Sequence, residues 1–440
     1  MAVKPFHLGW FLGGSKVQGW RQRWSGNDPQ NWMSADLYLH VIRELERACF
    51  DYVLFEDNFQ VADRFGNSTD VYVRNALSTP RQDPAVLAAM VAATTSRIGI
   101  VPTLPTFAYH PYLLSRMLGT LDQVSGGRAG WNVVTGSSDR AYQNFGHEKM
   151  PGHDLRYDIA AEFVDLATSL WGSWEPDAIV GDQEAGIFAD HQKIHRVDFQ
   201  GKWFASRGPL NSGPLPQGKP VIAQAGSSPK GRRFAAKYAD TVVAEAHTVE
   251  DMKAYRDDIH RLMIEFGRDP QQCKVLFTVC PILGATDEDA QEVKARRAIE
   301  AQDKVEATLG IISNLTDIDF SVFPLDEPLG EREWETQGTR ATLDTFIDQN
   351  RGKTLREAAV DMQTSIDGAF GLVGSPETVA GRMCELVEEI GGDGFLLAND
   401  VLTRRDIAEF VDGLVPALQR RKAVRTAYTH EHFRDNLLEF

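Results

Sequence analysis

The 440-residue chain has only four cysteines, Cys49, Cys273, Cys280 and Cys384, and no two of them form a C-x-x-C pair. That excludes the usual zinc-ribbon and thioredoxin-like motifs and suits reduced thiols in a cytoplasmic protein. Basic residues are in short supply: 46 Lys and Arg face 62 Asp and Glu, a formal net charge of −16. Such a balance argues against nucleic acid or an anionic membrane surface as a partner, while leaving room for a local basic pocket around a small anion. No run approaches the ~20 apolar residues of a membrane span. The N-terminal apolar run is too short for a signal peptide. G-x-S-x-G and Walker A motifs are missing, so neither a hydrolase elbow nor a P-loop is expected. His191 and His195 are four apart but lack the carboxylate signature of a zinc site, and no metal is expected.

What is present is a repeat of short apolar runs and helical patterns. Strands are predicted at Phe6 to Leu12, Tyr52 to Phe55, Ile98 to Leu104, Gly130 to Thr135, Pro220 to Ala225, Thr241 to Ala246, Val275 to Leu283 and Gly394 to Asn399. Helical patterns follow them, several opened by Pro at a first-turn position, as at Pro84, Pro111, Pro229 and Pro376. The strands are continuously apolar, as in a parallel sheet covered on both faces. About eight strand–helix units predict an α/β (β/α)8 TIM barrel that uses residues 1–440 as a single domain. A doubly wound sheet is the alternative, weakened because no G-x-G-x-x-G follows the first strand. Two stretches, 175–219 and 309–370, do not fit the repeat and are expected to be insertions, the second a lid over the active site.

In a barrel the chemistry sits at the C-terminal strand ends. Those ends carry Gly13, Gly14 and Ser15 after the first strand, and Asp57 and Asn58 after the second. Thr103 lies at the third, Asn132 at the fourth, and Gly226, Ser227 and Ser228 after the fifth. The fifth loop, Ala225 to Arg233, runs from a buried strand into a helix. Its glycines permit close approach, its serines donate, and the helix N-terminus offers free N–H groups to a phosphate. The same residues also suit an ordinary Ser-capped helix. His153 and Tyr157, four apart at a helix start, share a face.

The segment Leu121-Asp122-Gln123-Val124-Ser125-Gly126-Gly127-Arg128-Ala129-Gly130-Trp131-Asn132-Val133-Val134-Thr135, then Asn144-Phe145-Gly146 and His153-Asp154-Leu155-Arg156-Tyr157, resembles the nitrilotriacetate monooxygenase / dibenzothiophene-sulfone monooxygenase family. That family is a branch of the bacterial luciferase-like flavin enzymes. Val221 to Arg232 continues the resemblance, which runs from Leu8 to about Arg420.

The resemblance implies a luciferase-like barrel that binds FMN as FMNH2, supplied by a separate NAD(P)H:flavin reductase, and uses O2 to oxidise a small-molecule substrate. It also implies a homo-oligomer. Carried over position by position, the FMN contacts fall on Asp57, Thr103, His153, Tyr157 and Ser228, with Asn132 and Ser227 beside them. Asp57 and Thr103 are expected along the ring edge; Tyr157, Ser227 and Ser228 are expected at the phosphate, with His153 near that end. A deazaflavin-dependent oxidoreductase and a non-catalytic flavin-binding protein are the alternatives. Alkane-oxidising relatives carry Cys and His after the first strand and His after the fourth; here stand Gly13, Gly14 and Ser15, and Gly136 and Ser137. Trp10, Phe11, Trp20, Trp24, Phe59 and Phe107 are candidate pocket walls. Arg21, Arg23 and Arg64 are candidates for pairing with substrate carboxylates. No acid or base stands out, and the catalytic side chain is left unassigned.

Overall fold

The computed structural model describes residues 4–13, 34–330, 333–336, 338–399 and 402–440. Eight parallel strands close into a barrel: β1 (His7–Leu12), β2 (Tyr52–Phe55), β3 (Gly99–Pro105), β4 (Gly130–Val134), β5 (Val221–Gln224), β6 (Thr241–Ala244), β7 (Lys274–Val279) and β8 (Gly394–Leu397). Each strand pairs with the next in sequence, and β8 returns to β1 through His7 opposite Gly394 and Trp10 opposite Leu397. The barrel is therefore the architecture expected, and the doubly wound alternative falls away. Several strands end one or two residues before their predicted limits, and β7 departs most: it stops at Val279, before Pro281, and Ile282–Leu283 pairs instead with Val373–Gly374 outside the barrel. Proline has no N–H to donate to a central ladder, which accounts for the break.

Side chains alternate between the lumen and the helical layer. The lumen is filled by Tyr52, Leu54, Val101, Val221, Ala223, Val243, Leu276 and Leu396. Gly9 belongs to this face because a side chain there would meet Leu396 Cδ1 at 2.6 Å. Trp10 points the other way, onto Phe50 and Phe410, and is fully buried. It is core packing, which corrects its place among the candidate pocket walls.

The barrel floor was not foreseen. A short C-terminal helix, Phe433–Leu437, inserts Phe433 and Leu437 into the lumen from the N-terminal end. Gly99 and Gly130 make room for the Phe433 ring. Three carboxylates at strand starts tie this floor together. Asp51 accepts from the Leu8 amide and from Arg425 at 2.7 Å. Asp240 accepts from the Ile222 amide and pairs with Arg434 at 2.8 Å. Asp393 accepts from the Val275 amide and pairs with Arg256 at 3.0 Å. Burial works against ionised Asp51, but Arg425 and His7 outweigh it and hold its carboxyl below the usual range.

Stretch 175–219 forms two small hairpins, Ile179–Asp182 with Ile187–Ala189 and Phe199–Gln200 with Ala205–Ser206. Stretch 309–370 lies within a helical unit, Val305–Thr316, Arg340–Gln349 and Leu355–Ser365, with its own core of Leu309, Ile312, Phe320, Leu343, Phe346 and Leu355.

Candidate active site at the C-terminal mouth of the barrel

Thr103 on β3 and Asn132 on β4 are register partners. Both are buried, and Asn132 Nδ2 donates to Thr103 Oγ1 at 2.9 Å. Asn132 Oδ1 is buried with no hydrogen-bond partner among the described residues. An unused acceptor of that kind costs roughly 1–3 kcal/mol unless something donates to it. The two-residue alternation that puts Leu54, Val101 and Val243 in the lumen turns Glu56, Thr103 and Glu245 toward the mouth. Glu245 was missed in the sequence, although its position just after β6 was the available signal. Its surface is open to the mouth, yet enclosure by the surrounding walls raises its carboxyl, against the influence of His247.

The fifth loop and the Tyr157 helix (His153–Trp171) form a second cluster. Ser228 caps the helix Pro229–Tyr238, its Oγ accepting from the Gly231 amide at 3.0 Å. Tyr157 is buried against the same turn. Its phenol pKa is raised by burial and opposed by hydrogen bonds with Gln224 and Ser228. A side chain at Gly231 would stand 2.8 Å from Tyr157 Oη, and one at Gly226 would stand 2.9 Å from the Gly231 carbonyl carbon. Both glycines are therefore required by close approach. Gln224 Oε1 is buried without a partner beside this turn. Tyr255 fixes the loop by donating to the Gly226 carbonyl at 2.6 Å, and Arg232 donates to the Ser227 carbonyl at 2.9 Å. Ser227 is exposed; His153 is half-exposed, edge-on to Tyr157 with ring centroids 5.2 Å apart.

Asp57 follows β2. Its Oδ1 accepts from the Asn58 amide at 2.8 Å. Burial pushes its carboxyl up to about 7, with Arg81 working against the rise and Asp83 and Glu56 reinforcing it. The structure thus gathers Thr103 with Asn132, and Tyr157 with His153 and Ser228. Asp57 bonds within its own loop and touches neither pair directly.

Phe107 stacks on Tyr142 at 4.2 Å, and Phe59 and Phe145 pack around it at 6.0 and 5.4 Å. Phe59 and Phe107 thus belong to one aromatic cluster, joined by Tyr142 and Phe145, two aromatics not named among the candidate pocket walls. Phe11 packs against the lumen. Gly14, Ser15, Trp20, Trp24, Arg21 and Arg23 lie outside the described residues. Arg64 does not offer a free cation. Its Nε donates to the Asp317 carbonyl at 2.9 Å and lies 3.3 Å from the Asp317 carboxylate.

A model of the luciferase-like monooxygenase family matches residues 18–394. The chain belongs to that family. It is 36% identical over 440 residues to a dibenzothiophene-sulfone monooxygenase of Rhodococcus erythropolis (strain XP), covering 99% of this chain and 96% of the relative. An N-acetyl-S-(2-succino)cysteine monooxygenase of Bacillus subtilis (strain 168) is 35% identical, with 98% and 96% covered. Among solved structures, a riboflavin lyase with modified FMN and riboflavin superposes with a TM-score of 0.88 at 30% identity, covering 99% of this chain and 96% of that one. These relatives span nearly the whole chain, so the barrel, the stretches 175–219 and 309–370 and the C-terminal plug fall within the compared region. The chain is accordingly a monooxygenase.

Proposed function

We propose that the chain is the oxygenase component of a two-component system. It binds FMN in the reduced state, FMNH2, delivered by a separate NAD(P)H:flavin reductase. It uses O2 to oxidise a small organic substrate of the heteroaromatic, amine or sulfur-containing kind. The observation that carries the proposal is the pair of buried, unused acceptors, Asn132 Oδ1 and Gln224 Oε1, beside a glycine-lined helix start. A flavin ring carries N–H donors for such acceptors, and its phosphate suits the helix N-terminus. The residues present therefore fit the group.

When bound, reduced FMN would supply the electrons for oxygen chemistry. Thr103 and Asn132 would hold the ring edge, and Asp57 would stand at its margin. Tyr157, Ser227, Ser228 and the first turn after Ser228 would hold the phosphate, with His153 at that end. Phe59, Phe107, Tyr142 and Phe145 would keep water from the reacting face. The names of the two sulfur-directed relatives support a sulfur-containing substrate.

The helical unit 305–365 would act as the lid. Tyr72 donates to its Gly310 carbonyl at 2.9 Å, Gln60 to Asn314 at 2.7 Å, and Arg140 reaches Asp317 at 3.3 Å. These contacts join it to the loops after β2 and β4, at the mouth.

The test is reconstitution with a flavin reductase, NADH, FMN and a panel of sulfur compounds and heteroaromatics. Substrate-dependent O2 uptake above flavin autoxidation, with an oxygenated product, is expected. Hydride transfer from a reduced deazaflavin without O2 uptake would overturn the proposal.

A further inference from the structure

Arg81 lies in the loop between β2 and the helix Pro84–Ala92. Its side chain is 9% exposed, so a full cation is nine-tenths buried. Among the described residues, the one carboxylate it reaches is Glu56, at 3.4 Å from Nη2. Nε and Nη1 are both buried and have no hydrogen-bond partner among the described residues. Those two nitrogens carry three N–H donors. Other buried guanidinium groups are better supplied, although Arg156 Nε and Arg425 Nε are each buried without a partner among the described residues. Arg128 donates to five acceptors, among them the Ile98, Ala92 and Thr95 carbonyls, and Arg425 reaches Asp51, Glu439 and Asn436. Among the described residues Arg81 alone has two such nitrogens, and burying a charge with unused donors is costly.

Its position gives the two unused nitrogens a meaning. Glu56 is the first residue after β2 and faces the barrel mouth, where its Oε2 lies 3.5 Å from a Cβ built on Gly13. Arg81 therefore stands at the rim between β1 and β2, near Asp57 and Tyr38, both of which feel its charge. Arg64, the other described arginine considered for substrate binding, is committed to Asp317.

We propose that Arg81 anchors an oxyacid group of the substrate, a carboxylate or sulfonate, through the Nε and Nη1 donors that the protein leaves unused. The substrate is then a small organic anion whose charged end sits at the β1–β2 rim while its oxidisable part extends over the mouth. Arginine suits this task because its planar, weakly hydrated cation stays charged when buried and directs several N–H bonds to oxygen. The substrate assignment rests on the monooxygenase proposal above, but anion binding by Arg81 does not.

The test uses flavin-free protein first. Calorimetric titration compares benzenesulfonate and benzoate with the neutral benzyl alcohol and the cationic benzylamine. Wild type is expected to take the two anions at least tenfold more tightly than the other two. Arg81→Met should abolish that preference, and Arg81→Lys should restore part of it. The thermal melt of Arg81→Met should be unchanged or raised, since a buried cation with two unused nitrogens and only one long contact, to Glu56, is removed. FMN affinity, titrated separately, should stay within twofold of wild type.

Equal binding of all four probes by wild type, or undiminished anion preference in Arg81→Met, would overturn the assignment. So would a tenfold loss of FMN affinity in Arg81→Met, because Arg81 would then be a flavin contact. If wild type binds the anions but no flavin, the two-component proposal fails while the Arg81 site stands.

Discussion

Asn132 donates its amide N–H to Thr103 Oγ1 at 2.9 Å, and that bond fixes which way the amide faces. With Nδ2 committed to the neighbouring strand, Oδ1 is left as a buried acceptor without a protein donor. Asn132→Leu keeps similar volume and removes the acceptor. FMN affinity should fall about tenfold, the equivalent of one hydrogen bond of roughly 1.4 kcal/mol. Flavin fluorescence titration checks this; unchanged affinity would remove Asn132 from the site.

Ser228 has two tasks that can be separated. Its Oγ caps the helix through the Gly231 amide, and the same hydroxyl is proposed to face phosphate. Ser228→Ala should cost about 1 kcal/mol of stability, whereas Ser228→Gly should cost only a few tenths. Both remove the hydroxyl, so both should weaken FMN binding alike. Affinity that follows stability instead would mean that Ser228 is a cap and nothing more.

Asp57 gives a pH dependence with a defined sign. Its carboxyl is raised by burial from an ordinary 3.8 to about 7 in the folded chain. Between those values the unfolded chain releases a proton that the folded chain keeps. Stability from this group therefore falls as pH rises from about 4 to about 7 and stays low above. Asp57→Asn should raise the melting temperature at pH 8 and change it little at pH 4. Denaturation at the two pH values checks this, and equal effects at both would contradict the raised carboxyl.

Asp317 joins the helical unit 305–365 to two loops of the mouth, through Arg64 and Arg140. Asp317→Ala should lower substrate-dependent turnover several-fold and speed amide exchange within 305–365. The barrel strands should exchange as before. Full coupled turnover in this variant would sink the lid assignment.

The barrel was legible because its strands are buried on both faces, so Tyr52 to Phe55 or Thr241 to Ala244 read as unbroken apolar runs. Pro229 and Pro376 marked helix starts that the structure reproduces to the residue. The glycine-serine loop after β5 was legible because close approach and capping demand particular residue types. What stayed hidden depends on direction or distance. Trp10 and Phe11 are adjacent and aromatic, yet one packs under a helix and the other lines the lumen. The Phe433 plug is short and lies beyond the last strand–helix unit, so no periodicity announces it. Arg64 and Arg81 are alike in sequence. Only folding shows that Asp317, 253 residues away, occupies the first and leaves the second with unused donors.

The most direct test of the central claim is anaerobic titration of the purified protein with FMNH2, FMN and a reduced deazaflavin, followed by mixing with oxygen. Preferential binding of FMNH2, weakened about tenfold in Asn132→Leu and followed by oxygen-dependent reoxidation kinetics distinct from those of free flavin, is the predicted result. Preference for the deazaflavin, with no reaction toward oxygen, would contradict the account.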